Sequence, residues 1–297
     1  MKTYHDIATD GGSGVAEQVA VQEESLRDRL SQVDHIVAVM SGKGGVGKSM
    51  TTVLLATALA QKGLAVGIVD ADINGASMVK MTGVERSVET GVDGILPMKT
   101  AAGVEVMSID LFLDEGSAVR WNTVTEKSTF TWRGMVEVAA IREMLADTAW
   151  SSLDVLFIDL PPGTDKLPNL LDLVPSLSAS IVVSIPSEVS SYVVRKSVSI
   201  AREAFGERPI LLVENMTHFV CPTCDDVHEL FASTSGRRPS EVLDLECIGS
   251  LPFDPVLSKT IDHGQTFDTT ASDSPTASAI RQMAEALQSH LYATALS

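Results

Sequence analysis

The sequence is short of positive charge, of aromatic side chains and of cysteine, and it has no long apolar run. Only 22 Lys and Arg stand against 39 Asp and Glu, a formal net charge of −17. Phosphate backbones and anionic lipid surfaces attract the opposite sign, so neither nucleic acid nor a membrane is an expected partner. Three cysteines among 297 residues make no disulfide framework. The opening MKTYHDIATDGGSG lacks the apolar segment of a secretory signal. Runs such as VLFI (155–158) and ASIVVSI (179–185) have strand length and fall far short of a bilayer span. A reducing cytoplasm is the expected setting.

What is present is an alternation of short apolar runs with longer helical patterns. Residues 1–33 read as a polar extension in which VAEQVAVQEESLRDRL is helical, and residues 34–297 as one domain. Strands are expected at 36–40, 65–69, 104–109, 155–158, 181–185, 210–213 and 247–251. Helices are expected over Ser49–Gln61, Gly134–Ala146, Glu188–Phe205 and Pro275–Ala293. Strands apolar throughout and separated by helices predict a doubly wound α/β fold, with a mostly parallel sheet covered on both faces.

SGKGGVGKSMTT (41–52) follows the strand-like HIVAVM and opens a helical run. Gly42, Gly47, Lys48 and Ser49 satisfy G-x-x-x-x-G-K-[ST], the pattern of a phosphate-binding loop. There the backbone of Gly42, Lys43, Gly44, Gly45, Val46 and Gly47 would turn N–H groups toward phosphate oxygens at a helix N-terminus. Lys48 would neutralise the β- and γ-phosphates, and Ser49 would ligate Mg²⁺. Lys43 is surplus to that pattern. A cation beside a phosphate site could reach a second subunit's nucleotide and stabilise transition-state charge, or it could be an ordinary solvated lysine. The residues alone leave these two readings even.

Two further stretches end apolar runs in aspartate. VDADING (69–75) carries Asp70 and Asp72 at a strand's C-terminal end, where side chains face the ligand crevice. LDVLFIDLPPGTD (153–165) places Asp159 after four apolar residues, as a Mg²⁺-binding carboxylate requires. No N-K-x-D stands ready for guanine, and an amide suits adenine, which makes Asn215 the base-recognising candidate and ATP the favoured nucleotide.

ENMTHFVCPTCDDVHELF (214–231) pairs Cys221 with Cys224. The spacing fits a redox dithiol, a zinc site completed by His218 and His228, or half of an iron–sulfur site. The loop setting places the redox reading last. Cys247, in the strand-like LECIGSL, is expected to be inert core.

K-G-G-V-G-K-S resembles the deviant Walker A of the family that includes ParA, MinD, the nitrogenase iron protein and the Mrp-type carriers. In that family the extra lysine works across a nucleotide-sandwich dimer. The resemblance therefore implies a P-loop ATPase domain, a homodimer with ATP at the shared interface, catalytic Lys43 and Lys48, and Asp72 as the water-positioning carboxylate. V-E-N-M, C-P-x-C, V-H-E-L-F, I-G-S-L-P-F-D-P (248–255) and Trp132-Arg133-Gly134-Met135 narrow the likeness to Mrp/ApbC-like iron–sulfur cluster carriers over about residues 33–270. That implies a [4Fe–4S] cluster held by Cys221 and Cys224 of both subunits and passed to apo iron–sulfur proteins. This chain departs from the family at Gly75-Ala76-Ser77, usually G-P-S. It departs again at Pro161-Pro162-Gly163-Thr164-Asp165-Lys166, usually P-P-G-T-G-D.

The rival is a ParA/MinD-like positioning ATPase, which would use a basic C-terminal helix. Here the last helix carries an apolar stripe of Ile280, Met283, Leu287 and Leu291 with little positive charge, and is expected to dock on the sheet.

Overall fold

The computed structural model describes residues 15–113, 129–163, 166–221, 223–224, 226–231, 237–271 and 274–293. Side chains are described from residue 21 onward and, in the helix that begins at Thr129, from residue 137. In chain order the elements are α1 (Val15–Leu30), β1 (Val33–Met40), α2 (Lys48–Gln61), β2 (Val66–Asp70), α3 (Met78–Thr82), β3 (Glu89–Thr90), β4 (Ile95–Leu96), β5 (Met98–Lys99) and β6 (Glu105–Ser108). They continue with α4 (Thr129–Asp147), β7 (Leu153–Asp159), α5 (Lys166–Leu173), β8 (Leu177–Ser184), α6 (Glu188–Phe205), β9 (Ile210–Glu214), β10 (Phe219–Val220), β11 (Val227–His228), α7 (Pro239–Leu243), β12 (Glu246–Ser250), α8 (Pro255–Asp262) and α9 (Pro275–Ala293).

The main sheet runs β12-β9-β8-β1-β7-β2-β6-β5, parallel throughout except for the antiparallel edge pair β5–β6. Strand β1 lies between β7 and β8, so the chain leaves the sheet's centre directly into the loop at residues 41–47. Parallel strands align their C-terminal ends, and the register pairs Asp70 with Asp159 across β2 and β7. That edge is the crevice where doubly wound sheets bind ligands.

All seven expected strands form. Four of them read as continuous apolar runs because both of their faces are covered: the central residues of β1, β2, β7 and β8 are buried without interruption. Helix α9 docks as its stripe predicts, with Ile280, Met283, Leu287 and Leu291 buried and the helix packed on β12 and α2. Helix α1 packs along α4, and Leu26 and Leu30 enter the core.

One expectation fails at the sheet's far edge. Among the described residues strand β12 pairs only with β9, and Cys247 is half-buried, not sealed in the core. An apolar run such as CIGSL looks alike at the centre and at the rim of a sheet, because composition does not record how many neighbours a strand has. Burial still pushes the Cys247 thiol up, with the nearby Glu214 carboxylate adding to the shift.

Candidate functional site

The loop at 41–47 is shaped by its glycines. Gly45 and Gly47 take φ of 79° and 82°, the left-handed region that side chains disfavour. Gly42 is needed for packing, since a Cβ there would come within 2.8 Å of Val194 Cγ2 on α6. Behind the loop, Asn215 is fully buried, and a Cβ on Gly47 would lie 2.1 Å from its Nδ2. That Nδ2 donates to the Val46 carbonyl at 2.9 Å, bracing the loop from within. Its Oδ1 is buried with no partner among the described residues. The amide expected to face the base therefore sits beneath the phosphate loop, and the next residue, Met216, lines the cleft. Met216 takes φ 54°, an uncommon conformation for a residue with a side chain.

Lys48 opens α2 and is 7% exposed, while Asp159 at the end of β7 is fully buried. Lys48 Nζ lies 2.5 Å from Asp159 Oδ2. Ser49 Oγ donates to the same oxygen at 2.6 Å, and Thr52 Oγ1 donates to Oδ1 at 2.8 Å. Thr52 is no part of the G-x-x-x-x-G-K-[ST] pattern, yet it lies one helical turn from Lys48, where a helix brings side chains onto one face. In front of this group opens a cleft of about 340 Å³, lined among others by Gly44, Lys48, Ser49, Asp72, Met216 and Asp262.

The two aspartates after β2 have different tasks. Asp70 is buried, and its Oδ2 accepts from the Ser77 and Met78 N–H groups and the Ser108 hydroxyl at 3.0–3.2 Å. It organises the start of α3. Burial, helped by the Asp159 charge, raises its carboxyl to about 6. Asp72 is half-exposed on the cleft wall and accepts from the Gly75 N–H at 3.1 Å. Burial raises its carboxyl, with the Lys48 charge opposing.

The Asp70 shift gives a signed pH dependence. Between about pH 4 and 6 the folded chain holds a proton that the unfolded chain has released, so this group's contribution to stability declines as pH rises. Above that window both states are ionised and the contribution is constant. Urea unfolding of the wild type and Asp70→Asn at pH 5 and 7.5 measures it. The wild type's stability relative to the variant is expected to shrink at the higher pH.

Lys43 is half-exposed at the mouth of the loop, held by a 3.0 Å bond from the Ser41 hydroxyl to its carbonyl. Among the described residues its ammonium has no ion pair. Gly163 N–H donates to the Ser41 carbonyl at 3.2 Å, tying the segment after Asp159 to the same place. Thr164 and Asp165 lie outside the described residues, as do the side chains of Trp132-Arg133-Gly134-Met135.

The cysteines lie on a short antiparallel hairpin, β10–β11, where the sequence predicts only a loop. Cys221 N–H donates to the Asp226 carbonyl at 2.9 Å, closing the turn. The Thr223 and Cys224 N–H groups, with the Cys224 side chain, hold the Cys221 thiol below its usual range. Cys224 is exposed, and its Sγ lies 3.2 Å from Asp226 Oδ2. Val220, Val227, Leu230, Phe253 and Val256 are exposed on the hairpin and the adjoining start of α8. The hairpin and α8 are joined by Phe253 N–H donating to the His218 carbonyl at 2.7 Å. His228 stacks on Phe219 and His218 Nδ1 meets the Thr217 hydroxyl. Among the described residues no three His, Cys, Asp or Glu side chains gather as a metal site. None of the described helices is long and apolar enough to cross a membrane.

Comparison with known proteins gives this arrangement a family. Residues 32–288 match the family model described as ParA: NUBPL iron-transfer P-loop NTPase. The iron–sulfur cluster carrier protein of Saccharolobus solfataricus is 36% identical, over 91% of this chain and 88% of its own length. The cytosolic Fe–S cluster assembly factor NBP35 of Eremothecium gossypii is 37% identical, over 89% and 78%. A solved nucleotide-binding protein from Archaeoglobus fulgidus, in complex with ADP, superposes with a TM-score of 0.68 at 32% identity, covering 86% of this chain and 95% of that one. With a parallel sheet, a glycine-shaped phosphate loop and the carboxylate of Asp159 against its lysine, the chain belongs to the ParA/NUBPL iron-transfer P-loop NTPase family.

Proposed function

We propose that this chain hydrolyses ATP as a homodimer and carries a [4Fe–4S] cluster, bound between two subunits, to apo iron–sulfur proteins of the cytoplasm. The observation that carries the reading is the hairpin at 219–228. It carries one exposed and one half-exposed thiol, the latter tuned toward thiolate, and it also bears exposed apolar side chains. A cubane wants four thiolates, so one chain offers half a site. Exposed apolar side chains beside the cysteines suit burial against a second copy.

The nucleotide chemistry follows from the loop. Its N–H groups and Lys48 would bind the phosphates. The unpaired Lys43 would reach the partner's nucleotide, and Asp72 would orient the attacking water from the cleft wall. Asn215, braced beneath the loop with its Oδ1 buried and unpartnered among the described residues, would have to be uncovered before it could accept from an exocyclic amine such as that of adenine. The hydroxyl and carboxylate oxygens of Ser49 and Asp159, which meet at 2.6 Å, are the hard oxygen donors that a divalent cation such as Mg²⁺ takes. Mg²⁺ held by Ser49 and Asp159 would neutralise phosphate charge.

Zinc is the second reading. His218 and His228 are engaged elsewhere, which weakens it. Anaerobic iron and sulfide analysis tests both: about one cubane per dimer is expected. One zinc per monomer without iron–sulfide absorption would overturn the cluster. Lys43→Ala is expected to leave ATP affinity unchanged and to lower turnover by about 10²-fold, the usual cost of removing a transition-state donor. Normal hydrolysis by that variant would refute the cross-subunit role.

A further inference from the structure

Glu137, on α4, takes no part in the chemistry above, yet its carboxylate reaches both loops that flank the phosphate site. Oε1 accepts from Asn74 Nδ2 at 2.8 Å and Oε2 accepts from Lys166 Nζ at 3.0 Å. Asn74 belongs to the tight turn Asp72–Gly75, in which the Gly75 N–H donates to both the carboxylate and the carbonyl of Asp72. Lys166 opens α5, three residues after Gly163, the residue bonded to Ser41 at the foot of the phosphate loop.

The surroundings favour a fixed geometry. The Glu137 and Lys166 side chains are 13% and 23% exposed, so water screens the pair only weakly. Beneath them Ile141, Leu160, Pro161 and Leu170 line a small, mostly apolar hollow, in which Asn169 and Lys166 are the polar neighbours of the carboxylate.

We propose that Glu137 is a positioning residue for hydrolysis, a strut that fixes the Asp72 turn relative to the segment following Asp159. The rate-based part of this inference rests on the ATPase reading given above. The structural part does not.

Three variants test it: Glu137→Ala, Lys166→Ala, and the exchanged pair Glu137→Lys/Lys166→Glu. Misplacing a reacting group by about an ångström can cost up to about 100-fold, so Glu137→Ala is expected to lower kcat about tenfold with KM for ATP within about twofold. The exchanged pair is expected to recover most of that loss. Amide hydrogen exchange on the nucleotide-free protein supplies the second readout. Glu137→Ala should speed exchange at 72–77 and at 160–163 together, at a melting temperature close to that of the wild type. An unchanged kcat, a joint fall of kcat and nucleotide affinity, or exchange that changes only on α4 would overturn the strut. If the wild type releases no phosphate from ATP, the ATPase reading fails on its own, and the exchange pattern still decides the strut.

Discussion

Serine at both Cys221 and Cys224 is expected to abolish cluster binding, taking iron from about four per dimer to background, because no remaining side chain can supply a cubane's thiolates. Cys247 cannot substitute. It sits half-buried on β12 at the sheet's edge, and its thiol is held above its usual range. The fold should not notice the change, since Cys224 is exposed and surface substitutions seldom exceed about 0.5 kcal/mol. Melting temperature and ATP affinity should therefore match the wild type. Anaerobic reconstitution, with iron and sulfide counted against protein and the oligomeric state measured beside it, decides the point. Iron retained at wild-type stoichiometry would mean that the cluster, if there is one, is not held at this hairpin.

The hairpin is not isolated from the nucleotide. Asn215 is hydrogen-bonded to the carbonyl inside the phosphate loop, Met216 lines the cleft in a left-handed conformation, and Cys221 follows five residues later. Phe253, packed near Phe219 and bonded to the His218 carbonyl, leads into α8, whose Ser258, Ile261 and Asp262 line the same cleft. Two short routes, one along the backbone from Asn215 and Met216 and one through the Phe253–His218 hydrogen bond, thus join the cleft to the cysteine hairpin.

How much of this was legible in the sequence depends on whether the signal was local. The phosphate loop is local: glycine spacing, a preceding apolar strand and a following helix occupy fewer than about 20 residues, and each has its own physical cause. The buried strands were legible because double coverage leaves no polar alternation. Asp72 and Asp159 could be placed because strand ends define the crevice. The edge character of β12 was not legible, since it depends on which strands fail to pair with it. Nor was the burial of Asn215, because the space behind Gly47 is set by the close approach of two residues far apart in the chain, one just before α2 and one just after β9. Glu137 was hidden for the same reason: its partners lie 63 and 29 residues away, with no periodicity linking them.

Lys48→Ala is expected to abolish ATP-dependent activity and, separately, to destabilise the nucleotide-free protein. Lys48 and Asp159 form a pair shielded from water, and removing one member of such a pair typically costs about 3–5 kcal/mol because the other charge stays buried. Ser49 and Thr52 still donate to both Asp159 oxygens, which places the expected cost toward the lower end of that range. Lost activity alone would therefore not identify the role of the lysine. Lys48→Ala/Asp159→Asn should regain most of the urea midpoint, since no unpaired charge remains at the centre. Lys48→Gln keeps an N–H donor for Asp159 while removing the charge, so it should fold well and still lose about 10²–10³-fold in phosphate release, the loss expected when one group that stabilises transition-state charge is removed. Near-wild-type hydrolysis by Lys48→Gln would mean that this lysine serves the fold and not the phosphates. A stable Lys48→Ala would mean that Asp159 is satisfied by its two hydroxyl partners alone.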